Sequence, residues 1–259
     1  MTFWMRRVRA ALPWVLVGVL SSGATLIALL PAAWIAPMFA KATNGHINLA
    51  DPSGSLWRGS ATLMLAAGTD ASGATVLPGR IEWQTAFWPL FTGRVRMQMR
   101  QTDAMPDAVR VDAQLRGATL SAGGIGVPAA LLAGLGAPFN TLDLQGDVRL
   151  SWTDWRSFGS EAFGQLVITL NEMSSRVSRV KPLGSYRVVF QAEGAGATLD
   201  LSTTKGPLML SGHGTLREGA VSFQGSASSA AEARENLAGL LNLLGRPNGP
   251  DSVALVFAR

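Results

Sequence analysis

From His46 onward, apolar and polar residues alternate with a period of two rather than the 3.6 of a helix. The clearest run is Arg94-Val95-Arg96-Met97-Gln98-Met99-Arg100, and Val109, Val111, Ala113 and Leu115 alternate in the same way with Arg110, Asp112, Gln114 and Arg116. Similar runs occupy Ser60–Leu65, Ile81–Gln84, Thr141–Trp152, Gln165–Asn171, Tyr186–Gln191, Ala197–Ser202, Leu208–Gly212, Ala220–Gln224 and Val253–Phe257. Glycine-containing turns separate them at short intervals, as an antiparallel meander requires. Alternation of this kind means burial on one side only. The pattern therefore predicts a mainly β region, a twisted or curved antiparallel sheet with one or two short helices. Val95, Met97 and Met99 should face its apolar side, and Arg94, Arg96 and Arg100 the water, because a one-residue slip would reverse them all.

Two segments break the alternation. Val127–Leu135 reads as a short helix with Pro128 in its first turn. Ser229–Leu244 reads as a longer one, capped by Ser229, with Glu232 three residues later and Leu237, Leu240, Leu241 and Leu244 on one face. Gly245 should stop it, and its apolar stripe suits a lid on the sheet. Glycines recur inside strand-like fragments such as LRGATL, LQGDVRL and LSGHGTL. They fit either a weak repeat of hairpin units or the bulges and bends of a curved sheet.

The N-terminus is different. No charged residue falls between Arg9 and Lys41, and Leu12 to Leu30 is a run of 19 residues, which as a helix would span roughly 29 Å, near the hydrocarbon thickness of a bilayer. Trp14 and Trp34 flank it, and Pro31 should end or kink the helix. A buried core helix apolar on every face would be unusual in so small a protein. A cleaved signal peptide has a site of the right kind in Ala40-Lys41-Ala42, yet the apolar run exceeds the about 7–15 residues of a signal core. An uncleaved anchor fits better. The cluster Arg6, Arg7 and Arg9 places residues 1–9 in the cytoplasm. The division expected is then an anchor over 10–37, a linker over 38–53 and a β-rich domain over 54–259 on the far side, the periplasm of a Gram-negative envelope. The protein is thus expected in the cell inner membrane, crossing the bilayer once.

Composition narrows the chemistry. The chain has 259 residues and no cysteine, which removes disulfides and thiolate metal sites. Its net charge of +5 is spread along the sequence, mostly as arginine with acids between, which reads as a solvated surface. Of the two histidines, His213 sits in an expected hairpin and His46 in the linker, and neither has a second histidine at metal-ligand spacing. No G-x-S-x-G elbow is present. Gly123-Gly124-Ile125-Gly126 lacks the lysine of a phosphate loop. Asp103 and Asp107, which flank a proline, are the nearest approach to a paired-carboxylate site. Trp152 and Trp155 with Arg149 and Arg156 could stack on bases, but a location beyond a membrane argues against nucleic acid. The sequence assigns no catalytic, cofactor-binding or metal-binding residue, and the expectation is a protein that is not an enzyme and needs no cofactor.

Several local patterns coincide, in order, with one family. After the N-terminal apolar segment comes Gly54-Ser55-Leu56-Trp57-Arg58-Gly59-Ser60-Ala61, then Trp83 and Trp88-Pro89-Leu90-Phe91-Thr92-Gly93. Pro182-Leu183-Gly184-Ser185-Tyr186-Arg187, Gly206-Pro207-Leu208-Met209-Leu210-Ser211-Gly212 and Leu240-Leu241-Asn242-Leu243-Leu244-Gly245-Arg246 follow. In these the chain resembles type II secretion system protein N, also called general secretion pathway protein N. The resemblance implies an accessory inner-membrane subunit of the machine that exports folded proteins from the periplasm across the outer membrane. It implies partners among the inner-membrane subunits lettered C, L and M, with communication toward the secretin, and it transfers no catalytic residues. The tryptophans Trp57, Trp83 and Trp88 are expected to pack in the core, large rings covering backbone beside glycine.

Two other functions compete with an interaction subunit. An anchored sheet with one apolar face could carry lipid or another hydrophobic ligand in a groove like that of the AsmA-like proteins. An envelope hydrolase would instead require carboxylates converging in a polar pocket. A helix that closes the apolar face would weaken the carrier, and an open trough would strengthen it.

Overall fold

The computed structural model describes residues 17–18, 21–23, 25–66, 73–135, 139–217, 220–249 and 251–258. Among the described residues, seventeen strands belong to one sheet. They are β1 (Ile47–Gly54), β2 (Arg58–Leu65), β3 (Thr75–Val76), β4 (Ile81–Ala86), β5 (Arg94–Gln101), β6 (Val109–Gln114), β7 (Gly117–Leu120), β8 (Gly123–Pro128) and β9 (Leu144–Trp152). They continue with β10 (Trp155–Phe158), β11 (Glu161–Ser175), β12 (Gly184–Gly194), β13 (Gly196–Lys205), β14 (Leu208–Arg217), β15 (Ala220–Ser229), β16 (Arg246–Pro247) and β17 (Ser252–Ala258).

Every pairing among them is antiparallel, and most join neighbours in sequence, with β7 paired to β10 as one exception. β3 and β4 share β2 as partner. The long β11 pairs first with β10 and then with β9, and β9 pairs with β8. β17 returns beside β15, with the short β16 outside it. Among the described residues, the strands with a single partner are β1, β3, β8 and β16. Of these, β1 shifts register between Ala50 and Ser53 around Pro52, and β16 is two residues ending in Pro247. Such features keep an edge from templating further strands.

The expected alternation is real, with a difference in depth. Met97 and Met99 face the apolar side and Arg94, Arg96 and Arg100 the water, but both methionines are only half-buried and Val95 is 41% exposed. Two sequence-based helices are shorter than expected. Val127 and Pro128 end strand β8, where Val127 pairs with Val148, and only Ala129–Leu135 is helical, as a 3-10 turn. Ser229 closes β15 and caps nothing; the helix proper is Arg234–Leu244 after a 3-10 turn at Ala231–Ala233. Gly245 does end it, but in extended backbone at φ −169. β1 lies within the stretch expected to link anchor and domain.

At the N-terminus, the described residues between 17 and 28 are helical, and regular helix stops at Leu29 and Leu30 before Pro31. A 3-10 turn (Ala32–Trp34) and a helix (Ile35–Ala42) follow. Residues 1–9, expected in the cytoplasm, and residues 10–16, 19, 20 and 24 of the expected anchor lie outside the described residues. Among the described residues no helix is long and apolar enough to cross a membrane.

Candidate functional site

The sheet's apolar face is a set of cross-strand ladders. Met97, Val111, Leu120 and Trp155 follow one another across β5, β6, β7 and β10. Leu150, Ile168, Val188 and Leu201 do the same across β9, β11, β12 and β13, beside Leu166, Phe190 and Leu199. These residues are half-buried: Met97, Leu150, Ile168 and Leu201 pack against the edges of the two buried cores, whereas Trp155, Val188 and Phe190 belong to neither. Trp155 stacks on Phe190 with ring centroids 6.2 Å apart. The opposite face is polar and carries paired charges: Arg96 Nε bonds Asp112 Oδ1 at 2.9 Å, and His213 Nδ1 lies 2.7 Å from Asp200 Oδ1.

One end of this face is closed. The helix Arg234–Leu244 packs on β15 and β17, and its Leu237, Leu240 and Leu241 join Val148, Met173, Tyr186, Leu208 and Val253 in the main core. Fully burying each leucine contributes about 1.5–3 kcal/mol. The 3-10 turn Ala129–Leu135 bridges β9 to β2 and β3, where Thr75 Oγ1 donates to the Leu131 carbonyl at 2.7 Å. A smaller core gathers Ala32, Ala61 and Trp83, with Ile35, Leu49, Met97 and Met99 against it. The helix therefore covers the apolar face at its base and not along its length. The other end is a rim of strand tips, marked by the ladder Ala86–Arg96–Asp112–Thr119–Arg156 and the turns beyond it.

The motifs carrying the resemblance build these ends. Gly54 has φ +85, and a Cβ on Gly59 would meet the Trp83 ring at 2.5 Å, so the first motif needs glycine at both positions. Ala61 is wholly buried two residues on. Tyr186 donates to the Leu208 carbonyl at 3.1 Å, tying the third motif to the fourth, and burial holds its phenol pKa above the ordinary value. Core packing holds for Trp83, which is 4% exposed and donates to the Ser55 carbonyl. It does not hold for Trp88, which is 79% exposed, and Trp57 is half-buried with its indole N–H on the Ile27 carbonyl at 2.8 Å.

The residues with candidate chemistry are mostly dispersed. His46 Nδ1 lies 3.2 Å from the Ala66 carbonyl at the start of β1, whereas His213 is on the polar face of β14. Asp103, Asp107, Arg149 and Gly123–Gly126 do line one cleft of ≈ 680 Å³. Trp152 donates to the Ser121 carbonyl at 3.0 Å and Trp155 faces Phe190, so neither ring is offered with Arg149 or Arg156 as a base-stacking platform. Among the described residues no three His, Cys, Asp or Glu side chains group as a metal site.

Sequence reasoning missed two polar anchors. Gln101 is fully buried, donating to the Pro78 carbonyl and accepting from the Ala104 N–H, both at 2.6 Å. Arg80 ties β1 to β2 through Asp51, Ser53 and Ser60. Neither carries a signal in local pattern, because the partners are set by tertiary pairing.

Against known proteins, no curated protein and no solved structure matches the chain. A family model does, over residues 45–256: type II secretion system (T2SS), protein N.

Proposed function

The chain belongs to the type II secretion system protein N family, and from that premise we propose that it is an accessory, non-enzymatic subunit of the secretion apparatus, held in the inner membrane by the apolar run 12–30 with its sheet in the periplasm. Membership makes it a component of that system. The accessory role, the membrane and the side of the membrane are our reading. One observation carries it: the family's motif residues, Gly54, Gly59, Ala61, Leu183, Tyr186, Leu208 and Leu240, form strand turns and core. A family defined by its fold rather than by a reactive constellation acts by presenting surfaces. The charge-free run after Arg6, Arg7 and Arg9 supports the anchor and its orientation. The partners would be the subunits lettered C, L and M, and the secretin beyond them.

Loss of the chain should leave folded substrates in the periplasm, and the wild-type chain should restore their export. His46→Ala with His213→Ala should restore it equally at normal abundance. Failure of that variant, expressed as well as wild type, would revive a metal or acid–base role. Undiminished export without the chain would remove it from the functional apparatus.

A second reading is favoured by the uncovered middle of the apolar face, where Trp155, Phe190 and Val188 are only half-buried. It is a membrane-anchored cradle for lipid or another hydrophobic ligand. Acyl lipid copurifying with the chain, lost when Val188 and Phe190 become serine, would support this reading over the first.

A further inference from the structure

We infer that the aromatic tip preceding β5 inserts into the periplasmic leaflet of the bilayer, making a second membrane contact beside the anchor. The 3-10 turn Trp88–Thr92 carries this tip. Trp57, Phe87, Trp88 and Phe91 form a chain of edge-on and tilted rings, with centroids 5.0 Å apart for Trp57–Phe87, 5.3 Å for Phe87–Phe91 and 5.9 Å for Trp88–Phe91. Aromatic clusters of this size are ordinarily buried for their hydrophobic area. Here Trp88 is 79% and Phe91 72% exposed. So large an apolar group left in water implies a covering partner.

The backbone shows which partner lies within reach. The indole of Trp57 donates to the Ile27 carbonyl at 2.8 Å, the Leu56 N–H donates to the Leu30 carbonyl at 2.8 Å, and Pro31 bridges Ser55. These bonds fix the ring cluster against the far end of the charge-free apolar helix, whose Leu26 and Leu29 are themselves exposed. When that helix crosses the bilayer, its end near Leu30 sits at the headgroups, and the rings sit at the same level. Tryptophan is favoured there, with an apolar body and a polar edge. Exposed Arg58 and Arg94 flank the tip and pair with no acid among the described residues, which suits anionic headgroups. The rim of strand tips, the end opposite the helix Arg234–Leu244, would then face the membrane. The inference rests on the proposed anchor.

The chain has no cysteine, so single cysteines can carry an environment-sensitive fluorophore without further engineering. The full chain would be reconstituted in vesicles of phosphatidylethanolamine and phosphatidylglycerol, with and without brominated acyl chains. Labels would be placed at Trp88→Cys, Phe91→Cys, Leu26→Cys in the anchor, and Leu243→Cys, an exposed apolar position at the closed end. Blue-shifted emission at 88 and 91, lost with brominated lipid, alongside water-like emission at 243, is the expected result. Quenching at 26 with water-like emission at 88 and 91 would overturn the inference while leaving the anchor intact. Equal quenching at 243 would overturn it as nonspecific adsorption. Water-like emission at 26, 88 and 91 together would overturn both.

Discussion

Tyr186 is the only tyrosine in the chain, which makes its state directly readable. Burial raises its pKa above the ordinary value, with its hydroxyl on the Leu208 carbonyl. The unfolded chain therefore loses this proton first. The stability contributed by the neutral phenol is complete below about pH 10, the ordinary tyrosine pKa, and is lost as pH rises through the folded value. Phenolate absorbance in the folded protein should appear only above the ordinary range, together with unfolding. Tyr186→Phe should remove that alkaline loss and cost about 1 kcal/mol at neutral pH for the missing hydrogen bond. A phenol titrating at its ordinary pH in folded protein would show the ring to be solvated.

At the scale of elements, strand β5 and the helix Arg234–Leu244 give contrasting tests. Met97 is half-buried on the apolar side, and Met97→Asp should destabilise by roughly 2 kcal/mol by drying a carboxylate. Arg96→Asp faces water; it loses the exposed pair with Asp112 and sets two solvated carboxylates opposite each other across the strands, so it should cost about 1 kcal/mol. Equal costs in thermal melts would mean that the strand buries neither face in preference, and a reversed order that it is turned the other way. In the helix, Leu237 is 0% exposed and Leu243 faces water. Leu237→Ala should cost about 2–5 kcal/mol and Leu243→Ala little. Comparable losses would show that the helix does not rest on β15 and β17 by that face. Period-two alternation made β5 and its neighbours legible in the sequence, because burial on one face is written residue by residue. The depth of burial was not legible: whether Val95 is covered depends on what lies over the sheet, and little lies over that end. The cap expected at Ser229 failed for a related reason, since pairing with Leu208 holds Ser229 in the strand. Trp88 carried a signal that was readable in hindsight, for the run from Phe87 to Phe91 holds three rings and a proline with no alternation.

At the scale of the whole molecule, an apolar face closed at its base, a polar face rich in side-chain hydrogen bonds, and an apolar N-terminal helix tied to the opposite rim define three surfaces with different partners. On the proposed function, the polar face is the one that meets other subunits of the secretion system. A photoreactive amino acid at Arg187 or Gln224, both exposed on that face, and another at half-buried Leu199 on the apolar face, would separate the readings in intact, secreting cells. Irradiation should join the polar-face positions to other inner-membrane subunits of the type II secretion apparatus, with Leu199 giving few protein adducts. Absence of any secretion-system adduct from Arg187 and Gln224, with lipid captured at Leu199 alone, would contradict a role as an interaction subunit and leave the carrier in its place.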